Sequence, residues 1–278
     1  MTPAGGAVVT GAGRGLGREI GLLLARRGLH VAATDVDGEA AAATAAAIVA
    51  AGGTAYATVL DVRDEEACRA VAQRAATEAG SLAVWVNNAG VLATGPAWEQ
   101  DAAARRWIVE VNALGTINGT LAALEQMRRR GRGHVVNVVS LAGLVAVPGE
   151  TVYSATKHAA LGFSLATLSD LRIAGERGIA ISCVCPDGIW TPMLHDKLDD
   201  PAAALSFSGR LLDTREVVRA VDRVLDRPRP VTAVPRWRGV QVRLLDAFPG
   251  IAVRLGPAVQ HFARRQQRRY ARRLSARG

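Results

Sequence analysis

A tyrosine and a lysine stand four residues apart in TVYSATKHAA, residues 151–160, as Tyr153 and Lys157. On a helix that spacing puts both side chains on one face, one turn apart. An ammonium held beside a phenol favours the phenolate and draws the tyrosine pKa, about 10 when unperturbed, toward neutrality. Such a pair could move a proton to and from a substrate oxygen. Taken alone, the pattern is weak, because Tyr and Lys fall four apart by chance on many ordinary helix surfaces. A second stretch, TGAGRGLG over residues 10–17, has glycines that let backbone N–H groups approach a pyrophosphate where a helix begins. Asp35 follows at the end of the next apolar run, where a carboxylate accepts hydrogen bonds from ribose hydroxyls.

These residues need a scaffold, and the chain supplies one cycle repeated. AVVTGAG (7–13) is an apolar run that breaks into glycines, REIGLLLARRG (18–28) is helical, and HVAATD (30–35) is a second strand. A helix over 38–52, a strand over 57–62, a helix over 65–80 and a strand over 82–90 follow. Then come a long helix over 102–129, a strand over 133–140, a helix over 153–174 and a sixth strand over 178–188. The strands are continuously apolar and β-branched, which marks parallel strands covered on both faces. The alternation predicts an α/β fold, a doubly wound parallel sheet of Rossmann type. Residues 189–212 lose the periodicity and read as a lid. Thr214 is expected to cap a helix over 214–225, and VTAVP (231–235) reads as a last strand. The expected organisation is a nucleotide-binding domain over 1–235 with a basic extension over 236–278.

Composition narrows the class. With 278 residues, 49% of them hydrophobic, the chain can bury one sizeable core. No run approaches a membrane span, and no basic segment precedes an apolar one at the start, so the expected compartment is the cytoplasm. Cys68, Cys183 and Cys185 make no disulfide framework; the last two alternate on a strand and read as small core residues. His158 reads as helix surface and His195 as part of the lid. No histidine falls in a cluster with metal spacing, so no metal is expected. The net charge of +9 is uneven. Arg229 to Gly278 holds twelve arginines against the single acid Asp246, a charge of +11, so the first 228 residues carry −2.

Glycine loop, NNAG turn (87–90), Ser140 and the Tyr153–Lys157 pair together resemble the short-chain dehydrogenase/reductase family over about residues 5–195. The resemblance implies hydride transfer between a nicotinamide and an alcohol or ketone carbon. It places cofactor contacts at Gly11, Arg14, Gly15, Leu16 and Gly17, and at Asp35, Asp61, Val62, Asn88, Ala89 and Gly90. Beyond the sixth strand it adds Pro186, Gly188, Ile189 and Thr191, with Tyr153 and Lys157 serving both cofactor and catalysis. Ser140, thirteen residues before Tyr153, would hydrogen-bond the substrate oxygen, and Asn112 would hold a water leading from Lys157 to solvent. Because Ser140, Tyr153 and Lys157 are all present, an inactive nucleotide-binding scaffold is disfavoured. The family's usual interface, on the helices at 102–129 and 153–174, implies a homodimer or homotetramer.

Three questions stay open at this level. Asp35 repels a 2'-phosphate and favours NAD, whereas Arg14 could reach that phosphate and favour an NADP-dependent carbonyl reductase. Asp187 stands where the family commonly has glycine; either the turn tolerates it or its carboxylate touches cofactor or substrate. The tail over 257–278, with Val259, Phe262 and Leu274 among arginines, is a solvated terminus, a membrane-surface contact or a subunit contact. No recognition motif supports nucleic acid. Leu141, Leu144, Val145, Val147, Trp190, Met193, Leu194, Leu205 and Phe207, with residues 91–98, are expected to line an apolar substrate site or else to pack the lid.

Overall fold

The computed structural model describes residues 5–275, with side chains to residue 272. Seven parallel strands form one sheet in the order β3-β2-β1-β4-β5-β6-β7. They are β1 (Gly6–Thr10), β2 (His30–Asp35), β3 (Thr54–Val59), β4 (Leu82–Asn87), β5 (Gly133–Val138), β6 (Ile179–Pro186) and β7 (Val231–Val234). Helices α1 (Gly15–Arg26), α2 (Gly38–Ala50) and α3 (Glu65–Glu78) follow the first three strands. After β4 come α4 (Ala102–Val109) and α5 (Gly115–Arg130), then α6 (Thr151–Ile173) after β5. A short α7 (Pro192–His195), α8 (Thr214–Asp226), α9 (Arg236–Ala247) and α10 (Pro249–Ser275) complete the chain.

The unbroken apolar strands are explained by two covered faces. Val9, Val31 and Val86 pack toward Ile20 and Leu24 of α1 and Val217 and Val221 of α8. Their neighbours Val8, Ala32 and Trp85 point the other way, onto Val71 of α3, Ala123 and Met127 of α5 and Leu171 of α6. The strand expected at 57–62 lies three residues earlier. Leu60 and Val62 are buried, but in the loop beyond the strand, so burial imitated a strand there. The cap of α8 is Asp213, not Thr214: its carboxylate accepts from Arg215 N–H at 2.7 Å, and Glu216 accepts from Asp213 N–H at 3.0 Å. All three cysteines are free and buried, and burial pushes the Cys183 and Cys185 thiols up to about 11 and about 12.

The long helix expected over 102–129 is one path with a fault. Between α4 and α5 a π-helical turn, Glu110–Leu114, inserts an extra residue and turns Asn112 inward, where it is fully buried. The α5 that follows lies close to β4 through Gly119. A Cβ there would meet Asn87 Oδ1 at 2.1 Å and Trp85 Nε1 at 2.7 Å. Those two atoms are hydrogen-bonded to each other at 2.7 Å, and Asn87 Nδ2 continues to Asn137 Oδ1 at 2.8 Å.

Helix propensity alone would favour Gly119→Ala by about 1 kcal/mol, but overpacking against this buried polar pair costs about 1–3 kcal/mol. The variant should therefore be less stable than the parent in urea denaturation. A stability gain would show that α5 can stand off the sheet.

Candidate active site

The loops at the carboxyl ends of the strands enclose a cavity of about 420 Å³. It opens where β1 and β4 lie side by side and the chain's crossovers diverge, the position at which open parallel sheets bind ligands. Every residue expected to contact a cofactor lines it, as do Ser140, Tyr153 and Lys157. Asn112 does not; it stands behind Gly90.

The glycine loop is shaped by close approach. Gly11 has φ +63°, and a Cβ there would lie 2.8 Å from Ala89 Cα; at Gly17 it would lie 2.1 Å from Gly11 O. Asn88 Nδ2 donates to Thr10 O and Gly11 O at 3.0 Å each, so its amide is spent on holding the loop. Helices α2, α3, α4 and α8 are each capped by an aspartate side chain: Asp37, Asp64, Asp101 and Asp213. Helix α1 has no side-chain cap and no acid in its first turn. Its first residues, Gly15, Leu16 and Gly17, line the cavity, so the N–H groups there fit a dinucleotide's pyrophosphate. Asp35 accepts from Gly13 N–H at 2.8 Å and Asp37 N–H at 3.1 Å, which fixes its carboxylate at the cavity wall. Asp61 is clamped by Arg63, with the Nη2 contact at 2.6 Å, which holds its carboxyl below the usual range.

At the other end, Tyr153 and Lys157 project from α6 as the four-residue spacing requires. Lys157 Nζ lies 5.6 Å from the tyrosine ring centroid and donates to Val138 O at 3.3 Å. Burial lowers the Lys157 pKa to about 8. The expected lowering of the Tyr153 pKa is reversed in this structure. Burial raises it above the ordinary value, the Glu150 charge adds to the rise, and the hydrogen bond with Ser140 opposes it. Ser140 Oγ also accepts from Ala142 N–H at 3.1 Å. Asn112 is joined to the main chain of Val91, its Oδ1 accepting at 2.8 Å and its Nδ2 donating at 2.9 Å.

The apolar residues divide. Leu141, Val147, Met193, Leu194 and Leu205 line the cavity. Leu144 and Val145 pack instead with Cys183 and Cys185, while Trp190 and Phe207 pack on Tyr270 of α10. Asp187 makes an ion pair with Arg238 of α9, Oδ2 to Nε at 3.0 Å, and Arg238 Nη2 reaches Ser208 Oγ at 2.7 Å. A turn substitution thereby joins the lid to the extension. His158 is exposed, its Nδ1 2.8 Å from Ser154 O, and His195 packs against Trp190 in a tilted contact with centroids 4.0 Å apart.

Sequence reasoning did not single out Glu150. It is 3% exposed, lines the cavity and accepts a hydrogen bond from Ser206 of the lid. Its signal was available: an acid in an apolar loop, immediately before the helix that carries Tyr153 and three residues from it. Burial raises its pKa to about 7, with Asp187 and Asp200 contributing and the Ser206 hydrogen bond opposing. A carboxyl with a raised pKa holds an extra proton in the folded state. Its stabilising contribution is present below pH ~4.5 and is lost as pH rises through ~7. Glu150→Gln should therefore gain about 2–3 kcal/mol relative to the parent between pH 5 and pH 8 in urea unfolding. Parallel pH dependences for the two proteins would contradict the burial of this charge.

Residues 6–202 match the family model described as short chain dehydrogenase. The chain is 36% identical over 207 residues to the cyclopentanol dehydrogenase of Comamonas testosteroni, covering 74% of this chain and 81% of that one. It is 35% identical over 192 residues to the 1-deoxy-11-beta-hydroxypentalenate dehydrogenase of Streptomyces exfoliatus, covering 68% and 69%. A crystal structure of a short-chain dehydrogenase/reductase from Burkholderia phymatum in complex with NAD superposes with a TM-score of 0.82 at 27% identity, over 90% of this chain and 96% of that one. The matched strands, loops and α6 carry the cavity just described, and the chain belongs to the short-chain dehydrogenase/reductase family of oxidoreductases.

Proposed function

We propose that this protein is an NAD-dependent dehydrogenase that interconverts an apolar secondary alcohol and its ketone. The observation that carries the cofactor choice is Asp35, a carboxylate fixed beside the glycine loop by Gly13 N–H at 2.8 Å and followed by Val36 and Asp37, which bring no positive charge. It suits paired ribose hydroxyls and repels a 2'-phosphate. The substrate class rests on the aliphatic wall of Leu141, Val147, Met193 and Leu205. The name of one relative supports it, since cyclopentanol is a secondary alcohol on an apolar ring.

A bound nicotinamide would supply the hydride acceptor or donor. The remaining work falls to side chains. Ser140 Oγ orients the substrate oxygen by a hydrogen bond and stabilises the charge that develops on it. Tyr153 Oη holds the proton that leaves or joins that oxygen. Lys157, with its pKa near 8, is the cation that can offset the burial of the phenol and bind ribose hydroxyls. Asn112 fixes Val91 and the wall around Gly90, and a water led from Lys157 past it would return protons to solvent. The free buried cysteines fit a reducing cytoplasm. Exposed Val109, Leu114 and Leu121 on α4–α5 fit pairing of subunits there.

Fluorescence titration with NADH and NADPH should show NADH binding about tenfold tighter or more, because a phosphate facing Asp35 costs like-charge repulsion. Tighter NADPH binding would mean that Arg14 outweighs Asp35 and that the protein is a carbonyl reductase using NADP. Tyr153→Phe should bind NADH within about twofold of the parent yet lose about 10²–10⁴ in turnover of a secondary alcohol. Full turnover in that variant would remove Tyr153 as the proton carrier.

A further inference from the structure

The C-terminal extension was expected to be a solvated tail or a contact surface, and one of its faces is neither free nor solvated. Ala263 of α10 is fully buried, Gln267 Nε2 donates to Lys197 O at 2.9 Å and Asp200 O at 2.7 Å, and Gln260 Nε2 donates to Pro201 O at 3.1 Å. Tyr270 lies against Phe207 and Trp190, with ring centroids 6.2 and 6.4 Å away. This inner face covers the lid segment 201–207, whose Leu205 lines the cavity. Leu274, expected on the tail's apolar stripe, has its side chain outside the described residues.

The outer face has a different character. Ile251, Leu255, Val259 and Phe262 are 54%, 47%, 43% and 53% exposed, and at helical spacing they fall within an arc of about 80°. The arc is continued through the elbow by Phe248, 59% exposed, toward the exposed Leu244 and Trp237 of α9. Arg254, Arg265, Arg268 and Arg272 flank it on the side away from the lid, and all four are exposed. Between Arg236 and Arg272 there are nine arginines against one acid, Asp246. Among the described residues only Arg238 of these nine forms an ion pair.

We infer that α9 and α10 form a docking surface for an anionic lipid bilayer, with the aliphatic and aromatic stripe entering the interface and the arginines meeting lipid phosphates. The pairing of exposed apolar residues with a cationic flank is what an interfacial helix needs. Among the described residues no helix is long and apolar enough to cross a membrane, so α10 lies along the surface. A second copy of the chain is a poor occupant, because symmetric pairing would bring two arginine-rich flanks together. A nucleic acid would use the arginines but leave the apolar stripe in water. No described residue of α9 or α10 lines the cofactor and substrate cavity, so this surface is separate from it.

The test is sedimentation of the full chain with phosphatidylcholine vesicles, with and without about 30% phosphatidylglycerol. Binding should need the anionic lipid and weaken in high salt. Val259→Glu/Phe262→Glu, at exposed positions, should reduce it about tenfold or more while circular dichroism stays that of the parent. Arg265→Glu/Arg268→Glu should abolish the preference for anionic vesicles. Absence of binding, equal binding to neutral vesicles, or unchanged binding by the apolar double variant would each overturn the inference. So would a parent oligomer that the apolar variant dissociates in size-exclusion chromatography, which would assign the face to a second copy.

Discussion

The hydroxyl of Thr10 holds together two loops that are nearly eighty residues apart in the chain. It accepts from the N–H groups of Asn88 and Ala89 at 3.0 Å each, and the Asn88 side chain returns two bonds to the carbonyls of Thr10 and Gly11. β1 and β4 are neighbours only because the chain reverses its winding between them, and that reversal opens the crevice. Without the clamp, the glycine loop and the turn after β4 would be two mobile ends of adjacent strands. With it, they form one wall, and the uncapped start of α1 faces a space of fixed width.

The far wall depends on buried charge. Tyr153 and Lys157 share one face of α6, Glu150 immediately precedes that helix, and Asp187 approaches from the end of β6. Glu150, Tyr153 and Lys157 are each displaced from solution behaviour chiefly by desolvation. The phenol and the carboxyl are held toward their protonated forms and the ammonium toward its neutral one. The same burial therefore brings the carboxyl and the ammonium toward neutrality and takes the phenol away from it. Arg238 serves a related need, since it accompanies the largely buried Asp187 and ties α9 to the lid.

Much of this was legible in the residues, for reasons that differ by element. Strands such as 30–35 were plain because residues facing both ways must be apolar in a covered parallel sheet. The Tyr153–Lys157 spacing transferred directly, because four residues on a helix have one geometry. Leu60 and Val62 misled because burial in a loop and burial in a strand select the same side chains. The cap of α8 was misassigned by one residue, where Asp213 and Thr214 are both competent. The Asp187–Arg238 pair joins positions 51 apart, with no local pattern to announce it. The inner face of α10 escaped notice because it binds the lid through two glutamines, Gln260 and Gln267, with Ala263 and Tyr270 too small and too sparse among arginines to mark an apolar stripe.

The π-helical turn at Glu110–Leu114 has a consequence for how this fold can vary. One residue more than a regular helix requires is stored there, and each residue of an α-helix advances the phase by about 100°. Removing a single residue from 110–114 would let the segment relax into regular helix without breaking the chain's path. Everything downstream would keep its phase, so Gly119 would still face Asn87, and what would be lost is the inward turn of Asn112. The turn is therefore the place in this helix where a one-residue change of length leaves the packing of α5 intact, at the expense of Asn112, whereas a residue lost from the regular helix on either side would rotate one part against the other.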